Sequence, residues 1–596
     1  MSRHIDKNSL IKKIQQLDGL SADERSALIE MLRTQKKYGL VWEDKPEEVE
    51  ERLRDQLPIL REVKERYIPS DSPDAPNHIL IEGDNLEALT ALSYTHEGKI
   101  DVIYIDPPYN TGNKDFVYND SYVDSEDSYR HSKWLSFMNK RLKIAKRLLS
   151  EKGVIFISID DNEQAQLKLL CDEVFGSSNL VGCITRATGT TTGQDTGSLG
   201  KACDYIVVFS KNPNYQIGGI PLSEKDLDRY DMTDERGNYS ILQLRRTGGE
   251  DRREDRPTMF FPILAPDGTE VYPYGPSGYE SRWRVGPEKV KQMIKNNMLY
   301  FKKDNIGKWK VYYKFYAEGK TKRPSNLWID LDGNKKAQIE LKSVISDSKF
   351  ETPKPIQLIK RIFELTTNNT SIILDFFAGS GTTLHATMQL NSEDGGHRQC
   401  ILVTNNENGI CENVTYERNK RVIKGYTTPK GQAVEGLKNN RLRYYRTDFL
   451  PRERTQRNMR ALVSAATDML CIKEDLYEEQ TVFGRWKMNP QAARYFSDGQ
   501  RHMLVVYDEQ TAPQLAEMIA TIDFGREKLK IYIFSPERYA FDDEFYDVQD
   551  KVQLVALPAA IYDAYRQVLP PQREQMLENE EKTKIPADLF EGQGGS

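Results

Sequence analysis

The sequence predicts an α/β fold built on an open, mainly parallel sheet. Two apolar runs, Ile100–Ile105 and Ser371–Asp375, are each followed by polar and small residues, and a third run lies at Cys400–Thr404. Apolar runs without polar alternation are typical of parallel strands that are buried on both faces. In open α/β sheets, ligands bind beyond the carboxyl ends of the strands. We therefore expect the functional residues where these runs end.

The first run ends in Asp106-Pro107-Pro108-Tyr109, which combines a carboxylate, a rigid carbonyl and an aromatic ring. Proline fixes φ near about −65° and lacks a backbone donor, so the carbonyls around it stay free to accept hydrogen bonds from a ligand. The Tyr109 ring offers a face on which a base can stack, an interaction of roughly 1–3 kcal/mol. The motif therefore suits a planar amino group. The alternative is a turn that only ends the strand.

The second run is followed by Phe376-Phe377-Ala378-Gly379-Ser380-Gly381-Thr382-Thr383, which predicts a glycine turn that opens a helix. The N-terminus of a helix presents unpaired N–H groups and partial positive charge. The third glycine of the dinucleotide fingerprint is missing, so a nucleoside that carries a carboxylate fits better than a pyrophosphate. Glu407, just past the third run, is placed to accept hydrogen bonds from ribose hydroxyls. A turn used only for packing is the alternative.

These residues together resemble the amino-methylating DNA methyltransferases that use S-adenosylmethionine, in the permuted order in which the catalytic motif precedes the cofactor motif. Further stretches are similar to the modification subunit of type III restriction-modification systems. They are Tyr38–Glu43, His78–Leu86, Phe116–Asp120 and Phe350–Pro355. The resemblance implies a Rossmann-like methyltransferase sheet with circularly permuted motifs, and it covers about residues 35–160 and 345–425.

The resemblance also implies a role for each matched residue. Asp106 and the Pro107 carbonyl would accept hydrogen bonds from the exocyclic amine of a flipped base on which Tyr109 stacks, with Pro108 completing the catalytic motif. The implied cofactor-binding residues are Asp84 near the adenine, Asp375, Phe377, Gly379, Gly381 and Thr382 around the methionine and ribose, Lys354 near the carboxylate, and Glu407 on the ribose. Lys354 as a surface lysine, Phe377 as a core residue and Asp84 as a helix N-cap remain alternatives.

The implied reaction is transfer of a methyl group to an amine, which requires no metal and no covalent nucleophile. In the family, an aspartate before Pro-Pro-Tyr mostly accompanies adenine N6, so adenine is the expected target. The expected partners are double-stranded DNA, a second copy of the chain and a helicase-nuclease restriction subunit. Three alternatives stay open: an orphan methyltransferase without a restriction partner, the same fold acting on cytosine N4, RNA or a protein glutamine, and a DNA-binding scaffold that no longer catalyses.

The candidate DNA-contacting residues lie in basic stretches, although the net charge of −6 is unusual for a DNA-binding protein. Arg186 opens a threonine- and glycine-rich loop that runs to Gln194 and is expected to follow a DNA backbone. The remaining candidates lie between the two motif blocks, where the family places target recognition. They are Arg245, Arg246, Lys320, Lys322 and Arg323. A solvated surface or an ordinary mobile loop is the alternative for each.

Composition and spacing predict the remaining organisation. The six cysteines contain no Cys-x-x-Cys pair, which argues against structural zinc, and lysines at positions 7, 12 and 13 interrupt any signal-like apolar run. We therefore expect a cytoplasmic protein without a metal or a membrane span. The predicted segments are 1–76 (helical N-terminal arm), 77–211 (catalytic half), 212–345 (target-recognition insert), 346–446 (cofactor-binding half), 447–575 (small C-terminal α/β domain) and 576–596 (flexible tail).

Overall fold

The computed structural model describes residues 14, 40–112, 115–119, 121–124, 126–189 and 200–572. Most of the predicted N-terminal arm, the predicted tail and residues 190–194 of the predicted loop after Arg186 lie outside these residues. Within the described part of the arm, the helix Glu48–Asp55 leads directly into the strand Gln56–Glu62. Residues 40–76 are therefore not purely helical, because this strand pairs with Arg441–Pro451 in the main sheet.

A ten-stranded mixed sheet organises the larger of two compact units, which comprises residues 1–217 and 325–596. In chain order its strands are β1 Gln56–Glu62, β2 Asn77–Glu82, β3 Ile100–Ile105, β4 Leu149–Ile159, β5 Leu180–Ala187, β6 Cys203–Ser210, β7 Leu327–Trp328, β8 Ile372–Asp375, β9 Gln399–Thr404 and β10 Arg441–Pro451. The spatial order is β1-β10-β2-β9-β8-β3-β4-β6-β5-β7. The six strands from β10 to β4 are parallel, whereas β1 and β6 run antiparallel to their neighbours. The predicted α/β fold class is confirmed.

The functional end of the sheet lies where β3 and β8 pair. The two strands are in parallel register, with Leu374 beside Ile103, and both side chains are fully buried. The next sheet strand in the chain after β3 is β4 on one side, and the next after β8 is β9 on the other. Such a reversal of strand order is a topological switch point, where open α/β sheets bind their ligands.

Helices cover the sheet and share its apolar core. They are α1 Glu48–Asp55, α2 Asn85–Thr95, α3 Arg130–Leu148, α4 Gln164–Phe175, α5 Asn334–Val344, α6 Ile356–Thr366, α7 Thr382–Asp394 and α8 Glu417–Lys424. The periodic apolar residues of α3 explain its position, since Trp134, Met138 and Leu142 recur every four residues and are all fully buried. Among the described residues, no helix combines the length and the apolar character that crossing a membrane requires.

The smaller compact unit spans residues 218–324. Its four-stranded antiparallel sheet has the order Met232–Asp234, Gly237–Gln243, Trp309–Tyr316, Leu299–Lys303, and the helix Pro287–Lys295 directly precedes the strand Leu299–Lys303 in sequence. Trp283, Val290 and Val311 belong to its separate apolar core. This unit contains fewer residues than the predicted insert 212–345. Residues 325–345 belong to the larger unit, where β7 pairs with β5.

The C-terminal region of the larger unit contains a second sheet. Its strands, in spatial order, are Glu479–Gln480, Ala493–Ser497, His502–Val506, Leu529–Phe534 and Val552–Leu557. The accompanying helices are Gln456–Ala465, Thr467–Glu474, Ala512–Ala520 and Ala559–Tyr565. The Tyr565 hydroxyl donates a 2.6 Å hydrogen bond to the Pro58 carbonyl, which ties this region to β1.

Candidate active site

The motif Asp106-Pro107-Pro108-Tyr109 is held rigidly where β3 ends. The indole Nε1 of the fully buried Trp134 donates a 2.8 Å hydrogen bond to the Pro108 carbonyl. Asn110, with φ of 57°, turns the chain away from the sheet, and its Nδ2 donates to the buried Glu163 Oε1 at 2.6 Å. Helix α3 and the start of α4 therefore fix the motif, and the Asp106 side chain keeps 24% of its surface exposed.

Lys354 lies on this motif. Its Nζ is 2.9 Å from Asp106 Oδ1, donates a 2.6 Å hydrogen bond to the Tyr109 hydroxyl and is 4.8 Å from the centre of the Tyr109 ring. A second carboxylate oxygen, Asp204 Oδ2, is 3.9 Å away. The side chain is only 9% exposed, so the alternative of a surface lysine is wrong, whereas its predicted place near a cofactor carboxylate stays a prediction.

The environment changes the protonation of two groups here. Burial, followed by the negative charge of Asp106, raises the pKa of the Tyr109 phenol well above its ordinary value. Burial also raises the pKa of the Asp375 carboxyl to about 7, although the Thr383 hydroxyl and the Phe377 N–H donate hydrogen bonds to it. The Tyr109 ring therefore stays a neutral phenol, and Asp375 titrates close to neutral pH.

The glycine turn after β8 requires its glycines. Gly379 has φ of 48° and Gly381 has φ of 72°, a conformation that side chains with a Cβ rarely adopt. A Cβ at Gly379 would lie 3.2 Å from the Phe350 ring, and one at Gly381 would lie 2.5 Å from Asn419 Nδ2. A side chain at either position would therefore be strained in its backbone and would require the neighbouring side chain to move.

Asp375 and Thr382 brace this turn from inside. Asp375 accepts hydrogen bonds from the Phe377 N–H at 3.0 Å and from the Thr383 hydroxyl at 2.5 Å. The Thr382 hydroxyl accepts a 2.7 Å hydrogen bond from Nη1 of the buried Arg418. Both side chains are almost fully buried, and these hydrogen bonds position the turn, while their contacts with a cofactor stay predictions.

A cavity of about 650 Å³ opens beside the two strand ends. Pro108 borders it from the catalytic motif and Phe377 from the glycine turn, while Asp84 and Glu407 border it after β2 and β9. The Phe377 ring is half-buried, with its centre 5.8 Å from that of Phe137 in α3. The sheet therefore brings four of the predicted residues to one cavity. Lys354 is not among the described residues that line it.

Asp84 has two roles in this arrangement. Its side chain accepts a 2.7 Å hydrogen bond from the Leu86 N–H, which makes it the N-cap of α2, and it also borders the cavity. Oδ2 lies 3.6 Å from Nη2 of Arg141, whose Nη1 donates to the Glu47 carboxylate at 2.9 Å. Arg141 is fully buried, although it belongs to a helix that is rich in lysine and arginine.

The structure corrects two of the predicted DNA contacts. Arg186 belongs to β5 and is fully buried, where it donates to Asp204 Oδ1 at 2.8 Å, Asp204 Oδ2 at 2.6 Å and Asn334 Oδ1 at 2.9 Å. In the smaller unit, Arg245 is buried and donates to the Arg246 carbonyl at 2.9 Å. Neither guanidinium is available to a phosphate, because each is already hydrogen-bonded inside its unit.

The other predicted DNA contacts are more accessible. Arg246 is half-buried, whereas Lys320, Lys322 and Arg323 are exposed on the smaller unit. Lys322 forms a 2.6 Å ion pair with Asp226, an exposed pair of the kind that stabilises a protein by only about 0–1 kcal/mol. The exposed Lys320, Lys322 and Arg323 therefore remain candidates for contacting an anionic partner.

Three residues of the site were not identified from the sequence. Trp134 positions Pro108, Asn85 donates a 3.1 Å hydrogen bond from Nδ2 to the Phe376 carbonyl, and Asp204 lies beside Lys354. Asn85 lies next to the predicted Asp84 and could have been found there. Trp134 and Asp204 carry no local signal, because their partners are far away in the sequence.

Several known proteins are similar to this chain in sequence. The Mod subunit of the type III restriction-modification enzyme EcoPI from Escherichia phage P1 is 34% identical over 401 residues, which are 60% of this chain and 62% of that protein. The Mod subunit of StyLTI from Salmonella typhimurium is 34% identical over 354 residues, 55% of this chain and 52% of that protein. The chain thus spans about half to three fifths of the length of these two relatives.

A type II enzyme and a family model extend the comparison. The methyltransferase M.KpnI from Klebsiella pneumoniae is 35% identical over 376 residues, 60% of this chain and 87% of that protein. A family model described as DNA methylase (N6_N4_Mtase) matches residues 100–425, which include the Asp106 motif, Lys354 and the glycine turn. Because this match covers more than half of the 596 residues, the chain belongs to the N6_N4_Mtase family of DNA methylases.

Proposed function

We propose that this chain is a site-specific DNA methyltransferase that transfers a methyl group from S-adenosylmethionine to N6 of a flipped-out adenine. One observation carries the proposal. In a member of a DNA methylase family, the Asp106 motif borders, through Pro108, a cavity of about 650 Å³ at the switch point of the sheet. A base gripped by the motif and a cofactor in the cavity would then be neighbours.

The residues around the cavity fit S-adenosylmethionine by their chemistry. Phe377 and Phe137 offer ring surface, and Asp84 and Glu407 offer carboxylates that can accept hydrogen bonds from amino and hydroxyl groups. Within the described residues, Nη2 of the buried Arg141 has no hydrogen-bond partner, so a polar group beside Asp84 would satisfy it. When bound, S-adenosylmethionine supplies a methyl group on a positively charged sulfur.

The chain's own residues orient the target amine. Asp106 and the Pro107 carbonyl would accept its two N–H bonds, which draws the nitrogen toward tetrahedral geometry. The same acceptors stabilise the positive charge that grows on the nitrogen, so they act as preorganised electrostatics aimed at the transition state. The neutral Tyr109 ring would stack on the base, and this contact helps offset the few kcal/mol that extrusion from a duplex costs. Holding the target amine in line with the methyl group of the cofactor further lowers the barrier to transfer.

The relatives support a place in a restriction-modification system. Two of them are Mod subunits of type III enzymes, so we infer that this chain is the modification and recognition subunit of a similar system. It would bind double-stranded DNA in the cytoplasm as a homodimer and accompany a helicase-nuclease subunit. The exposed Lys320, Lys322 and Arg323 support a target-recognition role for the unit 218–324. Cytosine N4 is the second candidate target, because the family's name covers both positions.

Long-read sequencing of DNA from a host that expresses the chain tests the proposal, since it reports the modified base and its sequence context together. Purified protein with tritiated S-adenosylmethionine should label duplex DNA, and digestion to nucleosides should give N6-methyl-2′-deoxyadenosine rather than N4-methyl-2′-deoxycytidine. Asp106→Ala should abolish labelling and retain DNA binding. Asp161→Ala changes an exposed aspartate after the neighbouring strand β4 and should label normally. Wild-type protein that labels no duplex would refute the function.

A further inference from the structure

The ammonium of Lys354 covers the two groups that the proposed function assigns to the target base. It pairs with Asp106 Oδ1 at 2.9 Å, where the exocyclic amine would donate. It also lies 4.8 Å from the centre of the Tyr109 ring and donates to the hydroxyl of that ring. Among the described residues, Asp106 Oδ1 has this ammonium as its ion-pair partner but has no hydrogen-bond partner, so the lysine occupies the space beside the acceptor that the base requires.

A lysine in this position opposes the reaction electrostatically. Positive charge develops on the attacking nitrogen, and Asp106 stabilises it only to the extent that its own charge is not already neutralised. A second cation within about 3 Å of the same carboxylate would both neutralise it and repel the developing charge, most strongly in a site that excludes water. The productive complex therefore requires the ammonium to leave Asp106.

The structure provides a second carboxylate for the displaced ammonium. Asp204 Oδ2 is 3.9 Å from Lys354 Nζ, and Asp204 is only 4% exposed. Its position is fixed, because Arg186 holds both of its oxygens from the adjacent strand. A buried cation needs a partner wherever it lies, and the flexible stem of lysine allows its ammonium to move between nearby acceptors.

We propose that the ammonium of Lys354 is a displaceable placeholder for the target amine. It keeps Asp106 paired until a base enters and then moves to Asp204. The proposal rests on the proposed function and assigns Lys354 a positioning role in base entry. It differs from the cofactor-binding role expected from the sequence. Lys354 stabilises the site without a base, so only a base that makes good contacts displaces its ammonium. This requirement adds selectivity to the extrusion step.

The test compares Lys354→Met, Lys354→Arg and the matched control Lys360→Met, which removes a lysine of α6 that pairs with Glu393. The probe is a duplex with the methylated site found by sequencing, carrying 2-aminopurine next to the modified adenine, where its fluorescence rises when that adenine leaves the stack, with S-adenosylhomocysteine present to prevent transfer. Fluorescence reports the extruded base. The Met variant should extrude more base than wild type and lower the KM for the unlabelled duplex by roughly threefold to tenfold. The Arg variant should change both in the opposite direction, and the control should match wild type.

A double-variant cycle examines the second position of the ammonium. Asp204→Asn should lower extrusion and kcat, because the displaced ammonium then has no carboxylate to receive it. Adding Lys354→Met to that variant should restore extrusion to the level of Lys354→Met alone. Thermal unfolding checks that each variant is folded. If Lys354→Met does not fold, the direction in which Lys354→Arg changes base extrusion still tests the proposal.

The opposing results are distinct. A Lys354→Met variant that binds S-adenosylmethionine at least about tenfold more weakly in calorimetry, with unchanged extrusion, would identify a cofactor ligand and overturn the placeholder. Equal losses of extrusion in the Met and Arg variants would overturn it as well, since a merely structural role predicts no opposite signs. A wild-type protein without methyl transfer would overturn the proposed function and this inference together.

Discussion

The indole of Trp134 donates a hydrogen bond of 2.8 Å to the carbonyl of Pro108, so a residue in the core of α3 fixes the second proline of the catalytic motif. Trp134 is fully buried, and the only polar atom of its side chain is used in this bond. The shape of the strand end thus depends on helix packing as well as on the prolines themselves.

Trp134→Phe keeps most of the apolar volume and removes the donor. We expect the free energy of unfolding to fall by about 1–3 kcal/mol, because the Pro108 carbonyl is left without its partner. The rate of methyl transfer should fall as well, because the motif loses its fixed position. Trp328→Phe is the control, since the indole of Trp328 donates a 2.8 Å bond to the Ser325 carbonyl. It should lose similar stability and retain transfer; equal loss of transfer would contradict the assignment.

Gly381→Ala should destabilise the protein more than Gly395→Ala. The two glycines flank α7 with nearly equal φ of 72° and 70°, so the strain of a left-handed alanine is the same at both. A Cβ at Gly381 would meet Asn419 at 2.5 Å, whereas one at Gly395 meets nothing within 4 Å. We expect a difference of about 1–3 kcal/mol in denaturant unfolding, similar to overpacking elsewhere. Equal losses would show that the turn can relax.

Stability should decrease as the pH rises through the titration of Asp375. Burial raises the pKa of its carboxyl to about 7 in the folded protein. The folded state therefore binds the proton more tightly than the unfolded state, where the pKa is near about 3.9. The contribution to stability is fully present below that value and is lost as the pH passes about 7.

Urea unfolding between about pH 4 and pH 8 measures this effect, which should reach up to about 4 kcal/mol. Asp375→Asn should flatten the pH dependence by this amount relative to wild type. Subtracting the two curves removes the contributions of Glu87 and Glu163, whose pKa values burial also raises, to about 7 and about 8. The exposed Asp161→Asn should leave the curve unchanged. Parallel curves for wild type and Asp375→Asn would contradict the assignment.

Variants of Arg186 and Lys322 should distinguish a structural arginine from a lysine that contacts DNA. Arg186→Met leaves Asp204 buried without its main partner, so we expect a loss of about 3–5 kcal/mol in the free energy of unfolding. Lys322→Met removes an exposed lysine and should change stability by less than about 0.5 kcal/mol. The salt dependence of DNA affinity should become shallower for Lys322→Met alone. A shallower slope for a folded Arg186→Met would restore the original prediction of a DNA contact.

The sequence predicted the strands well because their signal is local. β3, β8 and β9 are apolar runs that end in turn-forming residues, and their pairing follows from the rules of parallel sheets. The cavity at their ends follows from the same rules. Asp106, Phe377 and Glu407 could therefore be assigned to one edge before any coordinates were known.

Buried charges could not be assigned in this way. Arg186 was predicted to open a loop, because its partner Asp204 lies on the next strand and gives no local signal. Arg141 was not assigned to the site, because its partner Glu47 is 94 positions away. The ion pair between Lys354 and Asp106 was not predicted either, because local sequence cannot show which carboxylate an ammonium reaches. Each error concerns a polar side chain whose burial is decided by tertiary packing.

The strand β10 has a practical consequence for any shortened version of the protein. It lies beyond residue 425, where the match to the family model ends, yet it pairs with β2 at the centre of one half of the sheet. A fragment cut at that boundary would expose the unpaired backbone of β2 along six residues. Open sheet edges of this kind recruit other chains, so a truncated methylase module should precipitate, and useful fragments must extend past Pro451.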